Sequence, residues 1–216
     1  MPLQNRADPF GSLHAVSPRG LFTGNRGILH DPDTRKLIGR RWTTRAWIVC
    51  TCDWKGRRRD VWGRNGRGGG AGWTELFFAD EVTALAAGHR PCFTCRRDAA
   101  RSFQSAFAAG NGLASVTAPQ IDTHLHAERR LSSRTAPMPV SPDDLPDAAM
   151  IEAAGNPLVR RDGNWLRWTF EGYVPTSRPT APVLAITPPS TIAALRAGFR
   201  PVWTDKPAYP PAKRPD

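Results

Sequence analysis

The stretch Phe78-Ala79-Asp80-Glu81-Val82-Thr83-Ala84-Leu85-Ala86-Ala87-Gly88-His89-Arg90-Pro91-Cys92-Phe93-Thr94-Cys95 holds the densest structural instruction in the chain. Trp73 to Phe78 reads as a short strand. Asp80 has the short carboxylate that caps a helix, Glu81 to Ala87 contains no breaker, and Gly88 supplies the left-handed residue that ends it. Arg90-Pro91 then sends extended backbone into Cys92, because proline excludes the helical conformation from the residue before it. The order is strand, capped helix, glycine stop, extended arm, and a cysteine pair at the end of the arm.

A Cys-x-x-Cys turn holds two thiolates about a zinc ion's width apart, and zinc takes four such ligands in a tetrahedron. The chain has four cysteines, in two close pairs. Disulfides are disfavoured in a reducing cytosol, and a redox pair belongs at the start of a helix that follows a strand, a setting that Arg90-Pro91 and Arg96-Arg97 fit poorly. Cys92 and Cys95 are therefore expected as zinc ligands, with Cys50 and Cys52 as the second pair. Residues two apart on a strand share a face, so Cys50 and Cys52 chelate together where the strand ends in a turn, which Asp53-Trp54-Lys55-Gly56 permits. The other option is one of these cysteines with His30, His89 or His126.

Working outward, Asp98 to Ala109 reads as a helix with Phe103 and Phe107 on one face, and Ile121 to Leu131 as another. Trp42, Ala46, Ile48 and Cys50 alternate as on a half-buried strand. Residues 1–28 are rich in Pro, Gly and Arg and are expected to form an irregular basic arm. Arg57 to Val61 continues as a second strand, and the glycines between Arg64 and Gly72 predict a mobile loop. Residues 29–134 then form one zinc-binding α+β module. A Pro- and Asp-rich linker follows over 135–147, a C-terminal α+β unit over 148–205, and a disordered tail over 206–216. The C-terminal unit has strands at Trp165–Phe170 and Val183–Ile186 and a helix at Ser190–Ala197.

An internal echo links the two units. Thr83 to Phe93 reads TALAAGHRPCF, and AALRAGFRPVW recurs 110 residues later with Val202 in the place of Cys92. Each follows a strand and a capping residue, Asp80 or Ser190. The second unit is thus read as a degenerate copy, and the fold class as α+β: a small zinc-stabilised module with a short sheet and two or three helices, plus a smaller strand-helix unit.

Charge points to the partner. Thirty Lys and Arg against 19 Asp and Glu give a net charge of +11 over 216 residues, with a pI near 10.7. Such a field favours polyanions, because every phosphate neutralised releases counterions. No apolar run approaches the roughly 20 residues of a membrane helix, and Met1 to His14 lacks the apolar centre of a secretory signal, so a soluble cytoplasmic protein is expected. Arg57, Arg58 and Arg59, beside Trp54 and Trp62, together with Arg96 and Arg97 after the cysteine turn, are the candidate nucleic-acid contacts.

The tract from Phe78-Ala79-Asp80-Glu81 through Ala86-Ala87-Gly88-His89-Arg90-Pro91-Cys92-Phe93-Thr94-Cys95-Arg96 resembles the metal-binding domain of Ada-type DNA alkylation-repair proteins, over roughly residues 46–97. Those domains end in a phenylalanine-rich strand, a helix and Ala-Gly-Tyr-Arg-Pro-Cys-x-x-Cys-Arg. The resemblance implies a small α+β zinc module lying on the DNA backbone, with Cys92 and Cys95 as its second ligand pair and Cys50 and Cys52 as its first. It also implies that a first-pair cysteine, here Cys50, accepts a methyl group from a phosphotriester as a zinc-activated thiolate. The family's first pair is more widely spaced, its inter-pair loop is shorter, and an aromatic residue stands where this chain has His89. No Pro-Cys-His-Arg methyltransferase signature and no regulatory helix-turn-helix are visible.

One further cluster has catalytic residue types. On a helix Asp122 and His126 share a face, as do His124 and Glu128, and a carboxylate that orients an imidazole suits general-base chemistry of a hydrolytic or glycosylase-like kind. The expected function is a zinc-containing nucleic-acid-binding protein, DNA preferred over RNA, in repair or regulation. The alternatives are an enzyme acting on DNA through Cys50 or through Asp122 and His126, and a zinc-bearing adaptor for another protein.

Overall fold

The structure, a computed structural model, describes residues 2–56, 59–131, 139–180 and 183–205. In chain order the strands of the first half are β1 (Arg6–Ala7), β2 (Leu13–His14), β3 (Phe22–Asn25), β4 (His30–Asp31), β5 (Lys36–Leu37), β6 (Ile48–Thr51), β7 (Leu76–Phe78) and β8 (Arg90–Pro91). Helix α1 (Glu81–Ala86) lies between β7 and β8, and α2 (Arg97–Gly110) and α3 (Ala118–Leu131) follow. The second half has β9 (Pro139–Val140), β10 (Met150–Ala153), β11 (Asn156–Arg161), β12 (Asn164–Thr169), β13 (Gly172–Pro175), β14 (Val183–Ala185) and α4 (Pro189–Arg196). The class is α+β, as expected. No helix among the described residues is long and apolar enough to cross a membrane.

Two six-stranded sheets organise the chain, in the orders β2-β1-β7-β3-β6-β8 and β13-β12-β11-β10-β14-β9, beside a small β4–β5 ribbon. Residues 1–28 differ from the expected irregular arm. They supply β1, β2 and β3, and β3 sits inside the first sheet with all four residues buried. Turn-rich composition concealed these strands because two of them are only two residues long, too short for alternation to show. The glycine-rich run after Arg64 includes a short 3-10 turn at Arg67–Gly69, and Arg64 reaches out of it to Asp33 at 2.6 Å.

The four helices share one apolar core with the second sheet. Val82 and Leu85 of α1, Phe103 and Phe107 of α2, Ile121 and Leu125 of α3, Met150 and Ile151 of β10, and Ile192 and Leu195 of α4 belong to a single apolar cluster. A smaller cluster, including Phe22, Val49, Leu76 and Phe78, packs the other face of α1 against the first sheet. All six residues of α1 are buried, so this helix is the shared wall of both cores. Asp80 caps it as expected, accepting from the Thr83 backbone N–H at 2.8 Å. The same carboxylate accepts from the Tyr173 hydroxyl at 2.8 Å and from the Thr204 backbone N–H at 3.1 Å. The Glu81 backbone meets Val202 at 3.0 Å, so the arm after α4 is stitched to the start of α1.

The two stretches of the sequence echo end alike. Gly88 N–H donates to Leu85 and His89 N–H to Ala84, both at 2.9 Å, while Gly198 N–H donates to Leu195 and Phe199 N–H to Ala194, both at 3.1 Å. Gly88 has φ +79 and Gly198 φ +103, the left-handed stop that glycine takes at no steric cost.

Candidate metal centre

Three of the four cysteines meet at the edge of the first sheet. Strand β8 pairs in parallel with β6, Ile48 opposite Arg90 and Val49 opposite Pro91. Continuing that register by one residue sets Cys50 beside Cys92, and the Cys92 N–H donates to the Val49 carbonyl at 3.0 Å. The chain then folds back on itself: Arg96 N–H donates to the Cys92 carbonyl at 3.0 Å and Thr94 N–H reaches the Cys92 Sγ at 3.4 Å. This turn returns Cys95 to its partner. The sulphurs of Cys50, Cys92 and Cys95 all lie within 4.8 Å of one another. Tetrahedral zinc with bonds of about 2.3 Å needs sulphurs about 3.8 Å apart, so the donor set fits a thiophilic ion after small side-chain rotations.

The electrostatics of the three thiols favour the same use. Cys92 is drawn down to about 4, first because the Cys50 thiol donates to it, with backbone N–H groups of Cys95 and Thr94 helping against burial. Cys95 is lowered, again first by Cys50. Cys50 is raised, because it is hydrogen-bonded to Cys92 and Cys95 and then because it is buried. Negative charge on two sulphurs forces the proton onto the third, and a divalent cation among them removes that competition.

Cys52 does not join this group. Strand β6 ends at Thr51, the Thr51 hydroxyl donates to the Asp53 carbonyl at 2.7 Å, and Lys55 and Gly56 both take positive φ. The chain leaves the sheet there, and the exposed Cys52 has its Sγ 3.4 Å from the Leu21 carbonyl. The histidines proposed as substitutes are also engaged elsewhere. His89 is fully buried between Phe78 and Trp47, His30 stacks on Trp62, and His126 meets Trp42 edge-on.

The other sequence candidates are placed as follows. Asp122 is buried and makes a two-pronged ion pair with Arg90, both contacts at 2.8 Å, while His126 lies half-buried beside Trp42 with its ring 5.5 Å away. The carboxylate of Asp122 thus serves Arg90, the arginine that leads β8 to the cysteines. Arg96 is buried against Glu81 at 2.5 Å with its guanidinium over Phe22, and Arg59 pairs with buried Glu75 at 2.5 Å and covers Trp73. Arg97 is exposed at the start of α2. Arg57 and Arg58 lie outside the described residues. Sequence reasoning passed over a different set: Arg26, Arg41 and Arg129, whose guanidinium groups stand over Trp47, and Arg45 and Arg130, whose charges act on His126 beside Trp42. The one local signal was the interleaving of Arg40, Arg41, Trp42, Arg45 and Trp47. No family model, curated protein or solved structure matches the chain.

Proposed function

We propose that the protein is a zinc-containing nucleic-acid-binding protein whose metal is held by Cys50, Cys92 and Cys95, with solvent in the fourth position. The observation that carries the metal half is the convergence of three sulphurs within 4.8 Å at the β6–β8 edge. Three thiolates suit zinc, a borderline-soft ion with no redox chemistry. The ion would tie β8 and the entry to α2 onto the sheet, stabilising the first-sheet module at its edge. The nucleic-acid half is supported by the charge of +11, and DNA is preferred on the resemblance to Ada-type metal-binding domains. Repair or regulation is the setting that resemblance favours.

The test is elemental analysis of the purified chain and of four Cys→Ser variants. About one zinc per chain is expected, lost in Cys50→Ser, Cys92→Ser and Cys95→Ser and kept in Cys52→Ser. Loss of metal from Cys52→Ser would replace the three-thiolate reading with four-cysteine ligation. For the partner, log affinity for DNA should fall linearly with log salt, and binding indifferent to salt sinks that half.

A second reading has its own observation. Three protein ligands leave a coordination position open, as catalytic zinc sites do, which favours Cys50 as a methyl-accepting thiolate. Incubation with DNA carrying methyl phosphotriesters, followed by mass spectrometry of the intact chain, should then show a gain of one methyl group, absent in Cys50→Ser.

A further inference from the structure

At the other end of β6 from the cysteines, basic residues crowd around two tryptophans. The loop before β6 is fastened to the end of β3: Thr43 N–H donates to the Arg26 carbonyl at 2.8 Å and Ile28 N–H donates to the Thr43 hydroxyl at 2.7 Å. Gly27, at φ +96, allows this approach, since a Cβ there would stand 2.0 Å from the Thr43 Oγ1. The loop is also bolted to α3, because Arg129 donates to the Arg45 carbonyl at 2.9 Å and to the Gly88 carbonyl at 2.6 Å. Trp42 lies between His126, 5.5 Å away, and Trp47, 6.2 Å away. The guanidinium carbons of Arg26 and Arg129 each stand 4.2 Å from the Trp47 ring, and that of Arg41 5.9 Å.

Arg26, Arg41 and Arg45 of this cluster have no carboxylate among the described residues in direct contact. Arg26 is 1% exposed, donates to the Gly11 carbonyl at 2.7 Å and to His89 Nε2 at 3.3 Å, and keeps one Nη without a partner. Among the described residues, Arg26, Arg41 and Arg45 make no ion pair within 4.0 Å. Three acids lie close enough to be felt, Asp8 by Arg26 and Asp122 and Glu128 by Arg129, but their hydrogen bonds go to other partners: Asp122 holds Arg90, Glu128 accepts from the backbone and hydroxyl of Ser190 at 3.0 and 2.8 Å, and Asp8 pairs with His14. The charges feel one another, since Arg26 is lowered to about 9 by burial and then by Arg41 and Arg129. His126 is lowered by its burial and by Arg129, Arg45 and Arg130. Gathering like charges costs stability unless an anion joins them.

We infer that Arg41, Trp42, Arg45 and His126 form the face that binds the phosphodiester backbone of nucleic acid, with buried Arg26 and Arg129 setting its field from behind. This deepens the nucleic-acid reading above and rests on it. Exposed Arg41 and Arg45 meet phosphates on a loop that needs no ordering, and the half-buried Trp42 gives a flat surface beside them. The face stands apart from Arg59 and Arg96, whose charge is already spent inside the molecule.

The test compares Arg41→Glu/Arg45→Glu with Arg101→Glu/Arg167→Glu, which reverses the same number of exposed charges on α2 and β12. A fluorescent 20-base-pair DNA duplex of arbitrary sequence is titrated across 50–200 mM salt. The first variant should bind at least tenfold more weakly at 50 mM and flatten the log affinity–log salt slope by about 2, one unit for each phosphate contact removed. The Arg101/Arg167 variant should stay within about threefold with its slope kept. Should the glutamate pair unfold, as read by circular dichroism, Arg41→Gln/Arg45→Gln must flatten the slope instead. Equal losses in both variants, or a larger one in the Arg101/Arg167 variant, overturn this face while leaving the nucleic-acid reading intact. A wild-type chain that binds no DNA or RNA duplex, or binds only anionic lipid vesicles, overturns both.

Discussion

Asp80 is a single residue on which several parts of the fold depend. Its carboxylate accepts from Thr83 N–H and hydroxyl, from Tyr173 and from Thr204, so it caps α1 and joins that helix to β13 and to the arm after α4. Asp80→Ala removes a cap and leaves a buried tyrosine hydroxyl without its acceptor. A loss of about 2–4 kcal/mol is expected in urea unfolding, and Tyr173→Phe in that background should cost far less than in wild type. His89 gives a pH signature. Its imidazole is fully buried among aromatic rings beside Arg26, and burial, then Arg26 and Arg129, lower it well below 6.5. Below pH 6.5 the unfolded chain binds a proton there that the native state refuses, so stability falls as pH drops through that range. The slope attributable to His89 is at most about 1.4 kcal/mol per pH unit. His89→Gln should remove that part of the slope between pH 6.5 and 5, measured as the wild-type minus variant difference.

Among elements, β8 decides the candidate site, although it is only two residues long. Parallel pairing with β6 is the reason Cys50 reaches Cys92 at all, and the Arg90–Asp122 pair fixes β8 from the α3 side. Arg90→Ala leaves the buried Asp122 carboxylate unpaired, which should destabilise the fold by about 3–5 kcal/mol. It should also weaken zinc retention against a chelator more than Cys52→Ser does. The helices around this strand were legible in sequence: the Asp80 cap, the Gly88 stop and the Phe103/Phe107 face all take their expected places. Strand β8 itself was readable only as an extended arm. Which neighbour it would pair with depends on residues some 40 positions away, and no local pattern encodes that choice.

At the scale of the molecule, α1 lies between two cores. Its Val82 and Leu85 pack toward the second sheet, and its Ala84 toward the first. Trp168 of β12 donates to the Thr83 hydroxyl at 2.9 Å, a further tie between the halves. A chain ended at Leu131 would expose Val82, Leu85, Phe103, Phe107, Ile121 and Leu125 to water. It should therefore show no cooperative thermal transition by circular dichroism, while the full chain should unfold with coincident tryptophan-fluorescence and far-ultraviolet transitions.

The residues from Phe78 to Cys95 settled by themselves where a helix starts and stops and that a cysteine pair follows it, because capping, glycine stops and proline restriction act within a few residues. Net charge likewise follows from composition alone. Tertiary structure decided the rest: Cys50 beside Cys92 rather than Cys52, Asp122 held by Arg90 rather than by His126, and arginines from the residue after β3, the loop before β6 and α3 drawn to Trp47. Each is a contact between segments far apart in the chain, governed by which strands pair and which faces are buried. Side-chain type announces what chemistry a residue can do, and packing alone determines the neighbour with which it does it.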